Sequence, residues 1–80
     1  MLDELKDSKK VVGLKQVRRS VEEGTAKKVF LAEDVAPDIY EKMVELCKAN
    51  SVEIEFADSM KQLGNACKID VSAAVAAIIG

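Results

Sequence analysis

Residues 28–47 read KVFLAEDVAPDIYEKMVELC, and this stretch decides the fold. Its first five residues, Lys28-Val29-Phe30-Leu31-Ala32, form a short apolar run that is typical of a strand buried in a sheet. Pro37 suits the first turn of a helix, and the apolar residues after it give that helix one broad face, which Asn50 closes. A buried strand followed by an amphipathic helix is the building unit of an α/β domain.

The chain before this stretch shows the same alternation. Residues 3–8 predict a short helix, and Val11 with Val12 predicts a brief strand that stops at Gly13. From residue 14 onward the apolar period becomes helical, with Leu14, Val17 and Val21 on one stripe. Gly24 is the expected end of that helix.

The chain after the stretch continues the pattern. Residues 52–56 (VEIEF) alternate apolar and acidic side chains, which predicts a strand with one solvated face near a sheet edge. Ser59 and Gln62 form a capping box at the start of a helix that carries Leu63, Ala66 and Cys67. Residues 75–79 (VAAII) predict the closing strand.

Four helices alternating with four strands predict an α/β fold, a three-layer α/β/α sandwich around a four-stranded mixed sheet. Eighty residues suffice for one domain, so residues 1–80 are expected to form a single unit. The three aromatic residues, Phe30, Tyr40 and Phe56, are expected in the core, where they could not form a stacking platform for single-stranded RNA.

Composition excludes several classes of function. The chain has no His and therefore lacks the commonest general base and the commonest metal ligand, so we expect no catalysis, no metal and no cofactor. Cys47 and Cys67 have no Cys-x-x-Cys spacing and are expected to be small, reduced core residues. The sequence shows neither a signal-peptide pattern nor an apolar run long enough to span a bilayer, which favours a cytoplasmic protein.

The net charge of −2 conceals a strong asymmetry. Residues 1–28 hold eight bases and five acids, residues 29–58 hold two bases and eight acids, and residues 59–80 hold two bases and one acid. The stretch from Lys9 to Val21 contains five bases and no acid. Its basic side is suited to an anionic partner, whereas the acidic side would repel one.

The junction at Gly13 is the first candidate site. Three of the first six helical positions after Gly13 are basic, namely Lys15, Arg18 and Arg19. The helix dipole favours acids at a helix start. Exposed amides at a helix start, together with these bases, would bind a phosphate or a base edge. The alternative is an ordinary solvated basic face.

A second candidate lies between Ser59 and Ser72. Lys61 is a base in the first turn after a cap, and Ile69 and Val71 flank Asp70 in a predicted turn, where their aliphatic side chains are expected to be exposed. Packing within the protein is the alternative explanation for this segment.

Several segments of the chain resemble a known family. Residues 13–17 (GLKQV), 31–37 (LAEDVAP), 59–67 (SMKQLGNAC) and 69–74 (IDVSAA) stand in the order of the kink-turn RNA-binding ribosomal proteins, the group of archaeal L7Ae. At this length, and with Lys-Gln after the glycine, the chain is most similar to the small bacterial YbxF-like members. The resemblance implies the same α/β/α sandwich.

The resemblance also implies a site. In that family a Gly-x-Asn-Glu-x-x-Lys segment contacts the tandem sheared G·A pairs of a kink-turn, and it matches Gly13, Lys15, Gln16 and Arg19 here. The turn at Ile69, Asp70 and Val71 would pack against bulged nucleotides, with Lys61 on a phosphate. This chain departs from the family where Lys15 and Gln16 replace Asn and Glu, and where Met60 replaces a basic residue.

The predicted function is non-catalytic binding of kink-turn RNA by a monomer that stabilises the bent conformer, with ribosomal RNA among the candidate targets. Additional phosphate contacts are expected from Lys9, Lys10, Arg18 and Lys28. Two alternatives remain open at this point. One is a protein–protein adaptor on a ribonucleoprotein that uses the acidic residues between 29 and 58, and the other is a small enzyme.

Overall fold

The computed structural model describes residues 9–68 and 72–80. Within them the chain forms β1 (Lys10–Val12), α1 (Leu14–Glu23), β2 (Ala26–Ala32), α2 (Pro37–Ala49), β3 (Glu53–Ala57), α3 (Met60–Ala66) and β4 (Val75–Ile79). The predicted order of elements is confirmed from the first strand onward, although β2 begins two residues before the apolar run. The helix predicted for residues 3–8 lies outside the described residues.

The four strands form one mixed sheet, as predicted, and their order across it is β1-β4-β2-β3. β2 and β3 are parallel, with Lys28 opposite Glu53 and Leu31 opposite Phe56. β4 runs antiparallel to both β1 and β2. Three strands therefore share one direction, and β3 lies at an edge of the sheet, as its alternating pattern predicted.

Helices cover both faces of this sheet. Phe30 and Leu31 are neighbours on β2, so their side chains point to opposite faces, and both are fully buried. α1 and α2 pack against each other and against β2, whereas α3 packs against β2, β3 and β4 through the buried Leu63. The α/β/α sandwich is thereby confirmed.

Two apolar residues expected in the core are exposed. Phe56 is 42% exposed on β3, which is an edge strand of the sheet formed by the described residues, and its ring stacks on that of Tyr40 with centroids 5.6 Å apart. Leu14 is 40% exposed because it is the first residue of α1, whereas Val17 and Val21 on the same stripe are buried. Of the three aromatic rings, Phe30 alone is fully buried.

Candidate nucleic-acid interface

The starts of all three described helices lie along one edge of the sheet, namely the one formed by the ends of the strands. β1, β2 and β3 end there at Val12, Ala32 and Ala57, and each is followed within a few residues by a helix. The antiparallel β4 begins at the same edge. Because unpaired amides give a helix start a partial positive charge, three such ends favour an anion at this edge, which we call the helix-start edge.

Residues 73–75, which lead into β4, connect the parts of the helix-start edge by backbone hydrogen bonds. The Gly13 amide donates to the Val75 carbonyl at 2.9 Å, and the Ala32 amide donates to the Ala74 carbonyl at 3.0 Å. The Ala73 amide donates to the Met60 carbonyl at 3.0 Å. The structure therefore brings the Gly13 junction and the start of α3, with Lys61, to one edge. The third predicted part, Ile69, Asp70 and Val71, lies outside the described residues, between Lys68 and Ser72.

Gly13 makes an abrupt transition from strand to helix. Its φ of 107° and ψ of 149° lie in a region that is almost exclusive to glycine. Its carbonyl accepts the Val17 amide at 3.0 Å, so α1 begins immediately after it. A Cβ atom at this position would meet nothing within 4 Å, so backbone conformation rather than space requires glycine here.

The first turns of α1 expose cations without acids. No side chain caps the helix, and its first turn contains no acidic residue. Lys15 and Arg18 are exposed and form no ion pair with any described residue. Arg19 contacts Glu23 at 3.3 Å, but both side chains are more than half exposed, so water and salt screen this pair.

Two shallow depressions join these residues into one surface. A depression of about 220 Å³ is lined by Lys15, Gln16, Arg18 and Arg19, together with Glu22. A second one, of about 380 Å³, shares Gln16 and Arg19 with the first and extends to Lys9. The two depressions therefore form one continuous surface that runs from the predicted residues of α1 to Lys9, the basic residue before β1.

The start of α3 is held by three side-chain hydrogen bonds. The Ser59 hydroxyl accepts the Gln62 amide at 3.0 Å, as the capping box predicted. The Gln62 side chain accepts the amide of Asp58 at 2.8 Å, one residue before the cap. The Asp34 carboxylate accepts the Met60 amide at 2.8 Å across 26 residues. Lys61 follows as an exposed base in a first turn without acids.

The role of Asp34 was not foreseen from the sequence. The structure shows that Asp34 joins the β2–α2 connection to the start of α3 by accepting the Met60 amide. The sequence signal for this role is that Asp34 occurs in the segment LAEDVAP, which carries the family resemblance. Asp34 therefore positions Lys61 relative to the β2 end of the edge.

The structure does not favour the predicted phosphate contact of Lys28. The Lys28 ammonium lies 2.9 Å from Glu55 and 3.4 Å from Glu53, and only 16% of the Lys28 side chain is exposed. It also lies 5.3 Å from the centroid of the Phe30 ring. Since Lys28 stands four residues before the end of β2, it belongs to the body of the sheet. The acidic residues of β3 neutralise it, because parallel pairing places them beside it.

Comparison with known proteins identifies the family of this chain. The family model described as "Ribosomal protein L7Ae/L30e/S12e/Gadd45 family" matches residues 2–80. The chain belongs to the L7Ae/L30e/S12e/Gadd45 family. The predicted family is thus confirmed.

Bacterial relatives support placement among the small members of the L7Ae family. An RNA-binding protein of Geobacillus sp. (strain WCH70) is 49% identical over 75 residues, covering 94% of this chain and 92% of the relative. The RNA-binding protein YbxF of Geobacillus stearothermophilus is 44% identical with the same coverage. These names agree with the prediction of a non-catalytic protein and do not favour the enzyme or adaptor alternatives.

A solved structure of a eukaryotic protein has the same fold. The 15.5 kD RNA-binding protein of Giardia lamblia superposes with a TM-score of 0.88 at 27% identity. The match covers 99% of this chain and 70% of the Giardia protein. The L7Ae-family sandwich is therefore shared across a wide sequence distance.

Both cysteines of this L7Ae-family chain are free and buried, as predicted. Burial raises the pKa of both thiols, so little reactive thiolate forms near neutral pH. Among residues 9–68 and 72–80, no cluster of three potential ligands could hold a metal ion. No helix in this part of the chain has the length and apolar character needed to cross a bilayer.

Proposed function

We propose that this protein binds RNA kink-turns through the helix-start edge and stabilises their bent form without chemistry. The observation that carries the proposal is the exposed, acid-free first turn of α1, where Lys15 follows Gly13 and no described carboxylate neutralises it. Lys15 and Gln16 would contact the G·A pairs at the kink, where hydrogen-bond donors meet purine edges. Arg19 and Arg18, one turn further along α1, would contact the phosphates that flank the kink.

The second half of the proposed surface lies at the start of α3. Lys61 would contact the opposite phosphate backbone, and Ile69, Asp70 and Val71 would cover splayed nucleotides. The hydrogen bonds from Gly13 to Val75 and from Ala73 to Met60 support this arrangement, since they connect the starts of α1 and α3 through residues 73–75. A rigid, preformed surface of this kind selects one RNA shape.

Stabilisation of the bent RNA needs only differential affinity. A kink-turn interconverts between extended and bent forms, and a protein that binds the bent form more tightly shifts the population toward it. The names of the relatives support RNA as the partner, and the family description supports a ribosomal setting. We propose that the protein acts as a monomer on a ribosomal or ribonucleoprotein kink-turn.

The test compares two RNAs and two protein variants. Wild-type protein should bind a kink-turn RNA, and replacing its tandem G·A pairs with Watson–Crick pairs should abolish the specific complex. The double variant Lys15→Ala/Arg19→Ala should lose at least about 30-fold in affinity, because each base contact and phosphate contact contributes on the order of 1 kcal/mol. Equal affinity for the two RNAs would refute kink-turn recognition, and unchanged affinity of the variant would refute the site.

A matched control removes the same charge elsewhere. Lys27 at the start of β2 and Lys48 in the last turn of α2 are exposed and lie away from the helix-start edge. Lys27→Ala/Lys48→Ala should therefore bind within about threefold of wild type at the same ionic strength. Fluorescence energy transfer between dyes on the two RNA arms measures bending, and multi-angle light scattering measures the stoichiometry, which we expect to be 1:1.

A further inference from the structure

A groove between α1 and α2 opens next to the proposed RNA surface. It has a volume of about 240 Å³ and is lined by Leu14, Arg18, Asp38, Lys42, Met43 and Leu46, among others. Pockets for drug-sized ligands are larger, at about 300–1,000 Å³. The groove therefore suits a group smaller than a drug, and one planar ring system, such as a nucleobase, is of that size.

The walls of the groove are apolar and its rim is charged. Met43 is buried and forms part of the wall, whereas Leu14 remains 40% exposed at the first residue of α1. Arg18 and Lys42 are exposed cations, and neither forms an ion pair with any residue of the described ranges. An apolar slot with unpaired cations at its rim suits a ring that carries a phosphate.

The groove is continuous with the surface on which RNA is proposed to bind. Leu14 lies between Gly13 and Lys15 in the chain, and Arg18 lines both the groove and the depression formed by Lys15, Gln16 and Arg19. RNA that contacts Lys15 would therefore pass the mouth of the groove within one helical turn.

We propose that this groove is a subsite for one unpaired nucleotide of the bound RNA, an inference that rests on the proposed function. The base inserts between Leu14 and Met43, and Arg18 and Lys42 contact the phosphates on either side of it. Asp38, in the first turn of α2, accepts a hydrogen bond from the base edge. The carboxylate disfavours uracil, whose edge offers a single N–H donor between two carbonyl acceptors, relative to bases that carry an exocyclic amine.

The first test is a coupling measurement. Leu14→Ser should lower affinity for an intact kink-turn RNA on the order of 10-fold, since it removes apolar contact with the base. A series of RNAs, each with an abasic residue at one unpaired position, should contain one RNA that wild type and Leu14→Ser bind equally. A uniform loss across the whole series, or no loss with any RNA, would overturn the subsite.

Controls distinguish this subsite from the kink-turn site and from misfolding. Lys42→Ala should weaken binding, whereas Lys48→Ala on the same helix should not. Leu14 is 40% exposed, so Leu14→Ser should still unfold cooperatively, with a thermal midpoint within about 8 °C of wild type. If wild type binds the kink-turn RNA but the variants behave alike, the subsite fails and the proposed function stands.

The second test does not depend on kink-turn binding. Methyl signals of Leu14 and Met43 in labelled protein should shift when the four nucleoside monophosphates are added at millimolar concentration, and least with uridine monophosphate. Asp38→Asn should remove this preference. If an acidic amphipathic peptide shifts these signals and no nucleotide does, the groove is a protein-docking site and the nucleotide proposal is wrong.

Discussion

Lys15 and Lys28 show two uses of the same side chain in one small domain. Lys28 lies in the body of the sheet, where Glu53 and Glu55 hold its ammonium within 3.4 Å and little of its stem is exposed. Lys15 lies in the first turn of α1, where it is exposed and forms no ion pair with a described carboxylate. The comparison teaches that a charge satisfied inside the protein stabilises the fold, whereas an unsatisfied one is available to a ligand.

The largest expected effect comes from reversing the available charge. Lys15→Glu should reduce affinity for a kink-turn RNA about 100-fold at moderate salt, because it replaces an attraction to phosphate or a base acceptor with a repulsion. The free energy of unfolding should stay within about 0.5 kcal/mol of wild type, since the residue is exposed. Fluorescence anisotropy and urea unfolding measure the two quantities. Loss of both affinity and stability would show that Lys15 has a structural role instead.

A second effect arises at the junction that presents Lys15. Gly13→Ala should destabilise the protein by about 1–3 kcal/mol, because the backbone conformation of Gly13 is strained for any residue with a Cβ. RNA affinity should also fall, since relief of the strain would move the start of α1. Gly24→Ala is the comparison: its φ of 80° is also unfavourable, but it ends α1 far from the helix-start edge. That variant should lose stability and keep its affinity.

Lys28→Ala should give the opposite result to Lys15→Glu. We expect a loss of about 1 kcal/mol in unfolding free energy, because Lys28 is largely buried and its ammonium forms ion pairs with both Glu53 and Glu55. RNA affinity should remain within about twofold of wild type. A double-mutant cycle with Glu55→Gln isolates the contribution of the pair. A large loss of RNA affinity in a folded Lys28→Ala protein would show that Lys28 belongs to the binding surface after all.

The smallest effect is expected at Asp34, which is neither ion-paired like Lys28 nor available to a ligand like Lys15, but accepts a backbone amide. Asp34→Ala removes the acceptor for the Met60 amide and should cost about 1 kcal/mol, as for other helix caps. Asp34→Asn should restore most of this loss, since an amide oxygen accepts the same bond. Affinity should follow stability in both variants, because Asp34 positions Lys61 without contacting RNA. A variant of normal stability and lost affinity would indicate direct contact instead.

Local patterns were sufficient for most of the fold. The period of apolar residues predicted the strands and helices, because burying one face requires side chains to recur with the geometry of the element. The capping box at Ser59 and the stop at Gly13 were predictable since each depends on a few adjacent residues. The basic start of α1 was visible for the same reason, and it led to the candidate site.

Contacts between distant residues were not predictable in this way. The exposure of Phe56 goes with the place of β3 at the edge of the described sheet, where the Phe56 ring stacks on Tyr40. The neutralisation of Lys28 follows from the parallel register that sets Glu53 opposite it. The bond from Asp34 to Met60 and the groove beside Leu14 each join residues that are more than 20 positions apart.

The sequence by itself determined the elements, their order, the mixed charge pattern and the basic helix start, because these depend on neighbours along the chain. The tertiary structure decided which charges remain available and which surfaces join. Strand order and register place Lys28 among carboxylates, whereas no carboxylate of residues 9–68 and 72–80 forms an ion pair with Lys15. The hydrogen bonds of residues 73–75 bring two separate helix starts to one edge, since only folding can set the distance between them.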